Sequence, residues 1–400
     1  MSWEKGVNVN NVSTIICGSR VFLGAGAINK MEFIAGELKK KGVDSVIVMT
    51  GKGAYASTGA WDYVTKALDG KSIRYTLYNK VQPNPETHQV DEAVKIAKDA
   101  GAKAVICIGG GSPIDAGKSV AILLKYTDKT CQDLYEMKFT AEQAVPVIAI
   151  NLTHGTGSEA NRFAVVTIPE KEYKPAIAYD CIYPLYSIDD PALMTGLPAN
   201  QTRYVSVDAV NHVVEAATTT LNNPFSITLG KEVIALVAKY LPAAVENPKD
   251  MTARYFLTYA AMIAGTSFDN GLLHFTHALE HPLSGMKPNL THGLGLAILL
   301  PAVVKEIYAA SGAILAELFS PIVPGLTGAA NEADKASKGV HAWLKSVGIP
   351  EKMGDVGFAK SDVARLVQLA FETPGLEGLL ACAPVKYDKA IVERIYSESF

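Results

Sequence analysis

Three of the chain's eight histidines fall within one stretch, "HFTHALEH", residues 274–281. The steps are three residues from His274 to His277 and four from His277 to His281. On a helix these steps put all three rings on one face. Imidazole titrates near neutrality and is the commonest metal ligand. A second stretch, "SVDAVNHVVEA", sets Asp208 and His212 four apart, and "NLTHGLGLA" puts His292 where another helix should begin. Taken singly, each element reads as a core histidine or a helix-surface pair. Together, on amphipathic helices, they form a candidate cage for a divalent cation with nitrogen and oxygen ligands. Sulfur ligands are not expected. Cys17, Cys107, Cys131, Cys181 and Cys382 are scattered, and no pair has CxxC spacing.

A different chemistry is legible in "AVICIGGGSPIDAGKSVAIL", which reads strand, glycines, helix. Gly109, Gly110 and Gly111 let the backbone approach a ligand, Ser112 can cap the helix, and Pro113 suits its first turn. A helix N-terminus of this kind offers free N–H groups to a phosphate. It is neither the GxGxxG fingerprint nor a Walker loop. A second turn, "NLTHGTGSEANRF", again places Gly, Thr and Ser after a buried strand. Two such turns on neighbouring strands would face one crevice, the place where doubly wound sheets bind dinucleotides.

The elements that must position these groups change character along the chain. In the first half, β-branched runs such as "STIICGS", "SVIVMTG", "IRYTLYN", "AVICIGGG", "VPVIAIN" and "FAVVTI" alternate with helical patterns such as "AINKMEFIAGELKKKG". This predicts an α/β domain with a mostly parallel, Rossmann-like sheet covered on both faces. After Pro191 strand-like runs almost vanish and long helical patterns follow, among them "TRYVSVDAVNHVVEAATTT" and "GLGLAILLPAVVKEIYAA". We expect residues 1–191 to form a dinucleotide-binding domain and 192–400 an all-helical, metal-binding one.

With 48% hydrophobic and 19% charged residues among 400, the composition is that of a globular protein. A net charge of −3 provides no basic field for nucleic acid or an anionic membrane. "MSWEKGVNVNNVSTIICGS" carries an early Glu and no sustained apolar core, so it does not read as a signal peptide. "LGLAILLPAVV" falls short of the roughly 18 residues of a membrane span and reads as a buried helix. With few, unpaired cysteines, these features point to a reducing, cytoplasmic setting.

The set "GGGSPIDAGK", "THGTGSEANRF", "DAVNHVVEA" and "THALEHPLSGMKPNLTHGLGLAILLP" closely resembles the iron-dependent (group III) alcohol dehydrogenase family, in the family's order and over nearly the whole chain. The resemblance implies a dehydroquinate synthase-like architecture: a nucleotide-binding α/β domain, a helical domain, and a cleft between them for nicotinamide cofactor and metal. It implies Asp208, His212, His277 and His292 as metal ligands. His281 would lie by the nicotinamide and relay the proton. Gly110, Gly111 and Ser112 match the pyrophosphate loop, with Asp115 on the same motif. Asn84, Thr153, Thr156 and Lys174 match further cofactor contacts. The implied metal is Fe²⁺; the sequence alone does not exclude Zn²⁺, which binds such ligands more tightly. A homodimer or larger homo-oligomer is also implied.

Two departures bear on cofactor and substrate. Family members that prefer NAD often carry Asp after the second strand; here Gly51 stands there, followed by Lys52. The family's commoner habit favours NAD(H), while the missing carboxylate leaves NADP(H) open. The family often has Pro-Thr-Thr-Ala before Gly-Thr-Gly; here the residues are Asn151, Leu152, Thr153 and His154. Asn151, His154 and His274 would add polar donors beside the substrate. The expected activity is therefore hydride transfer between nicotinamide and a short-chain aldehyde or primary alcohol, as a reductase of anionic aldehydes such as sulfoacetaldehyde. The alternatives are an uncharged short-chain alcohol or diol dehydrogenase of the butanol or lactaldehyde/propanediol type, or a glycerol dehydrogenase-like enzyme.

Overall fold

The β-branched runs build one six-stranded sheet in the computed structural model, which describes residues 3–7, 10 and 12–400. Its strands are β1 (Val21–Leu23), β2 (Ser45–Thr50), β3 (Arg74–Tyr78), β4 (Val105–Gly109), β5 (Val147–Asn151) and, after a separate hairpin, β8 (Tyr186–Asp189). The order is β1-β8-β5-β4-β2-β3, and every pairing is parallel. The hairpin pairs β6 (Phe163–Val165) with β7 (Ala176–Ala178), antiparallel.

Helices α1 (Met31–Lys40), α2 (Ala54–Ser57), α3 (Ala60–Asp69), α4 (Thr87–Asp99), α5 (Gly111–Leu123) and α6 (Cys131–Tyr135) connect these strands. Side chains alternate across a pleated sheet. Thus Val46, Val48, Ile106 and Ile108 face Ile34, Leu38 and Val64 of α1 and α3, while Ile47, Met49, Val105 and Cys107 face Val90, Ala93 and Val120 of α4 and α5. Burying each Val, Leu or Ile contributes about 1.5–3 kcal/mol, which is why these strands read as continuous apolar runs.

Two expectations differ from the structure. "STIICGS" is not a strand. It runs extended beside Asn270, where the Ile16 N–H donates to Asn270 Oδ1 at 2.7 Å and the Asn270 amide donates back to the Ile16 carbonyl at 2.9 Å, and the edge strand begins later, at Val21. "FAVVTI" supplies β6 of the hairpin rather than a strand of the parallel sheet.

Beyond Asp189 the described residues form helices and turns: α7 (Ala199–Thr218), α8 (Pro224–Glu246), α9 (Met251–Gly271), α10 (Phe275–Met286), α11 (His292–Leu318), α12 (Ala333–Ser346), α13 (Val363–Glu372), α14 (Leu376–Leu380) and α15 (Lys389–Glu398). "LGLAILLPAVV" lies within the 27-residue α11, which by length and hydropathy alone would reach across a membrane. Here it packs against α7, α10, α12 and α15, with Leu296, Leu299, Leu300, Val303 and Val304 buried.

Two carboxyl groups are buried at the sheet's carboxyl end. Among the described residues neither oxygen of Glu159 has a hydrogen-bond partner, and Asp189 uses only Oδ1, which accepts from the Asn151 amide at 3.0 Å. Burial raises both, Glu159 to about 7. A carboxyl whose pKa is higher in the fold than in the unfolded chain stabilises most at low pH, and that contribution is lost as pH climbs through the folded value. The Tm of the native protein is therefore expected to fall relative to that of Glu159→Gln between about pH 5 and 8, as thermal scans would show. Parallel curves would mean that Glu159 does not ionise in this range.

Candidate active site

Asp208, His212 and Glu215 recur along one face of α7, at spacings of four and three. The chain then leaves α9 through Leu272, whose φ of 63° is a strained value for a side chain of this kind. That turn aims His274 at the start of α10. His274 Nδ1 accepts from the Phe275 N–H at 2.7 Å and so caps the helix. His277 and Glu280 follow on its inner face. α11 begins at His292, and Gly293 lies so close to α7 that a Cβ there would collide with the Tyr204 carbonyl. Three helices thereby bring their polar groups to one point.

Atoms of Asp208, His277 and His292 lie within 4.8 Å of one another. Asp208 Oδ1 is 3.4 Å from His212 Nε2 and 3.6 Å from His277 Nε2. His212 adjoins the cluster through this contact and stacks on His277, with ring centroids 4.7 Å apart. Asp208 Oδ1 and His277 Nε2 are buried without hydrogen-bond partners. Unsatisfied polar atoms of this kind are costly unless something joins them. Ligand atoms about 2.1 Å from one tetrahedral cation sit about 3.4 Å apart, so the spacing and the N/O chemistry fit a divalent cation.

The other ring nitrogens are held by carboxylates. His277 Nδ1 pairs with Glu215, and His292 Nδ1 pairs with Glu280. Lys174 Nζ lies 3.4 Å from Glu280 and 3.4 Å from His292 Nδ1. Such partners fix ring orientation and tautomer, leaving Nε2 free to ligate. Burial opposes the Asp208 charge, but His212 and His277 hold it at about 2. Burial lowers His212 to about 4, leaving a neutral ring. Burial and the neighbouring Lys174 push His281 well below its usual range, and its Nδ1 has no partner. It is therefore a neutral imidazole at pH 7, where the sequence suggests a ring titrating near neutrality.

This cluster opens into a cleft of about 1120 Å³. Gly110 and Gly111 line it opposite Thr153 and Thr156. A Cβ on either glycine would come within 2.8 Å of its facing threonine. Adjacent strands β4 and β5 carry the two turns, so they share one crevice. The cap of α5 is Gly110, with no side-chain hydrogen bond, and Ser112 sits inside the first turn of the helix, facing the cleft, rather than at its cap. Gly51 and Lys52 line the far rim.

Asn84, Asp115 and Lys174, expected at the cofactor, line the cleft but are engaged internally, Lys174 through its contacts with Glu280 and His292. The Asn84 amide donates to the carbonyls of Pro288 and Leu290, at 2.8 and 3.3 Å, tying its loop to the segment before His292. Asp115 accepts from Ser158 Oγ and, at 3.0 Å, from the Val165 N–H.

Three residues expected beside the substrate do not reach the cleft. Asn151 turns into the sheet, donating to Asp189 and accepting from the Thr153 N–H at 3.1 Å. His154 points the other way, into the helical part, against Arg254. His274 is spent on its cap and on Thr218, 2.9 Å from its Nε2. All three are buried. Conversely, Glu215 and Glu280 were not singled out from the sequence. Their signal was present: Glu215 lies seven residues after Asp208 on the same face, and Glu280 three after His277. Phe268, stacked on His212 at 4.4 Å, carries no such signal.

Comparison with known proteins shows the family. The profile described as "Iron-containing alcohol dehydrogenase" matches residues 18–191, and "Fe-containing alcohol dehydrogenase family, C-terminal" matches 202–400. The chain is 56% identical to the long-chain primary alcohol dehydrogenase AdhA of Thermoanaerobacter ethanolicus over 398 residues, covering 100% of both chains. Among solved structures, the NADH-dependent butanol dehydrogenase A of Thermotoga maritima superposes with a TM-score of 0.89 at 28% identity, covering 97% of this chain and 98% of that one. The sulfoacetaldehyde reductase of Bifidobacterium kashiwanohense, at 23% identity and a TM-score of 0.82 over 97% and 99% of the two chains, shares the fold. The chain belongs to the iron-containing alcohol dehydrogenase family.

Proposed function

We propose that the chain interconverts uncharged aliphatic primary alcohols and their aldehydes with a nicotinamide cofactor, using Fe²⁺ held by Asp208, His212, His277 and His292. The observation that carries this reading is that the cluster of buried Asp208 and His277 with half-buried His292, and the two glycine-rich turns, open into the same cleft. When bound, the cation supplies Lewis acidity at the reacting oxygen and the nicotinamide supplies hydride chemistry. The chain's own part is to orient and to exclude water. Glu215 and Glu280 hold the His277 and His292 rings, and Phe268 covers His212. His281 lines the cleft as a neutral ring with an unpartnered Nδ1, which supports a role in taking up and passing on the alcohol proton.

The substrate reading rests on the wall of the cleft. In the β6–β7 hairpin Phe163 faces Ala178 and Val165 faces Ala176, and all four line the cleft with Leu376 and Leu379 of α14. A sulfonate or carboxylate tail against this wall would be desolvated without a partner. The grounds for an anionic substrate were Asn151, His154 and His274, which face elsewhere. For uncharged tails each methylene buried on the wall contributes about 0.8 kcal/mol, so kcat/KM is expected to rise about fourfold per carbon from ethanol until the wall is covered. A panel of butanal, octanal, succinic semialdehyde and sulfoacetaldehyde with iron-loaded enzyme tests this. Preference for sulfoacetaldehyde would overturn it.

NAD(H) is the cofactor of this reading. Gly51 presents no carboxylate to a 2′-phosphate and Lys52 lines the same rim, so the panel is run with NADPH as well. We place the enzyme in the cytoplasm as a homodimer. The five unpaired cysteines support the first assignment, and the exposed Val12 and Ile15 on the extended N-terminal segment support the second.

A further inference from the structure

The turn after β5 contains a buried polar knot that the proposed mechanism does not use. His154 is fully buried, with Nε2 2.9 Å from Arg254 Nη1 and Nδ1 3.4 Å from Ser206 Oγ. A guanidinium only donates, so Nε2 is the acceptor and Nδ1 carries the proton toward Ser206. Burial and the adjacent guanidinium press the ring down to about 3, which keeps this tautomer neutral over the working range. Arg254, in the first turn of α9, is also fully buried. It donates to the Pro248 carbonyl at 3.0 Å and to Thr202 at 2.9 Å, while Nη2 has no partner. No carboxylate faces it among the described residues, and burial alone lowers its pKa. Burying a guanidinium without a carboxylate is costly. Among the described residues, the imidazole acceptor is thus one of three groups that offset the cost.

The knot's location links two parts of the site. Thr153 and Thr156, on either side of His154 and Gly155, face the glycine loop across the cleft. Ser206 lies on α7, two residues before Asp208. The backbone between is pressed on the same helices: a Cβ on Gly155 would come within 2.5 Å of the Val205 carbonyl, and one on Gly157 would collide with Gly265 of α9. The turn therefore has one side on the cofactor cleft and the other keyed into α7 and α9.

We propose that His154 and Arg254 are positioning residues that register the Thr153–Thr156 turn against α7, and so set the separation between bound nicotinamide and the Asp208–His212 pair. This rests on the function proposed above. The test compares His154→Ala and His154→Gln in the iron-loaded enzyme. It measures bound iron, NADH affinity by fluorescence titration, kcat, and the primary isotope effect with 1,1-dideuterated butanol. The alanine variant is expected to retain iron, bind NADH about tenfold more weakly, lose about tenfold in kcat and show a larger isotope effect, because small misplacement of reacting atoms slows the chemical step. Glutamine, whose Oε1 replaces Nε2 as acceptor, is expected to restore most of the loss. Unchanged NADH affinity and isotope effect in His154→Ala would overturn the proposal, as would iron lost in step with activity, or a glutamine variant no better than alanine. Should the native enzyme turn over no primary alcohol, the functional reading fails by itself, while NADH affinity in the two variants still decides whether this pair sets the turn.

Discussion

Replacing His277 with alanine is expected to abolish cation binding and to lower turnover about a thousandfold or more, whereas His281→Ala is expected to retain the cation and lose about a hundredfold. The two rings stand four residues apart on α10, so sequence spacing alone would treat them alike. Their surroundings separate them. His277 turns Nε2 toward Asp208 while Glu215 holds its Nδ1. His281 has Lys174 and Glu280 near it, and its Nδ1 is free. Metal analysis alongside steady-state kinetics checks both. Metal retained by His277→Ala and lost by His281→Ala would reverse the assignment. A pH dependence accompanies this prediction. Burial opposes a charged His277, but Glu215 and Asp208 outweigh it and raise the ring to about 9 in the metal-free protein. The proton and the cation then compete for the same ring. Apparent metal affinity should rise about tenfold per pH unit up to that value and level off above it, which titration of metal-free protein at several pH values would show.

The second large effect is expected at Glu215, which has no contact with substrate in this reading. One carboxylate oxygen accepts from the backbone N–H groups of His274, Thr276 and His277, at 2.9, 2.9 and 3.3 Å, and the other pairs with His277 Nδ1. The group therefore fixes both the start of α10 and the tautomer of His277. In Glu215→Gln the carbonyl oxygen satisfies the backbone donors and the amide N–H₂ then faces Nδ1. Nδ1 must become an acceptor, the proton moves to Nε2, and the ring loses its free lone pair toward Asp208. Metal affinity should fall about 10–100-fold with little loss of stability. Glu215→Ala leaves three buried N–H groups without an acceptor, and should cost about 3–5 kcal/mol of stability in addition to the metal. Equal behaviour of the two variants in metal titration and thermal melts would show that the carboxylate is not setting the tautomer.

Much of this arrangement was legible in the residues themselves. The spacing of Asp208 and His212 places them on one face of a helix, and they lie on one face of α7. The runs ending in Gly109 and Asn151 read as buried strands followed by ligand-approaching turns, and β4 and β5 are neighbours. The same spacing logic, carried one step further, would have reached Glu215. It would not have reached Phe268, whose role comes from which helix α9 packs against.

The misplacements share a cause. Asn151, His154 and His274 sit where a regular element ends, so no period says which way they face. Asn151 is the last residue of β5, His154 lies in a turn, and His274 follows Leu272, whose φ of 63° redirects the chain. The extended segment at residues 13–19 has strand composition, yet the edge of the sheet is taken by Val21–Leu23 and the segment meets the Asn270 side chain instead.

By itself, then, the chain's pattern determined the alternation of strands and helices, apart from the runs at 13–19 and 163–168, and the shared face of the acidic and imidazole groups on α7. These depend on periodicities of two and 3.6 residues, which any window of the sequence displays. The tertiary structure decided which imidazole faces Asp208, which carboxylate orients it, and that the polar groups after β5 serve the scaffold while an apolar hairpin lines the cleft. Those outcomes depend on contacts between residues far apart in sequence, such as Glu215 with His277 and His154 with Arg254, and only the packed helices bring such pairs together.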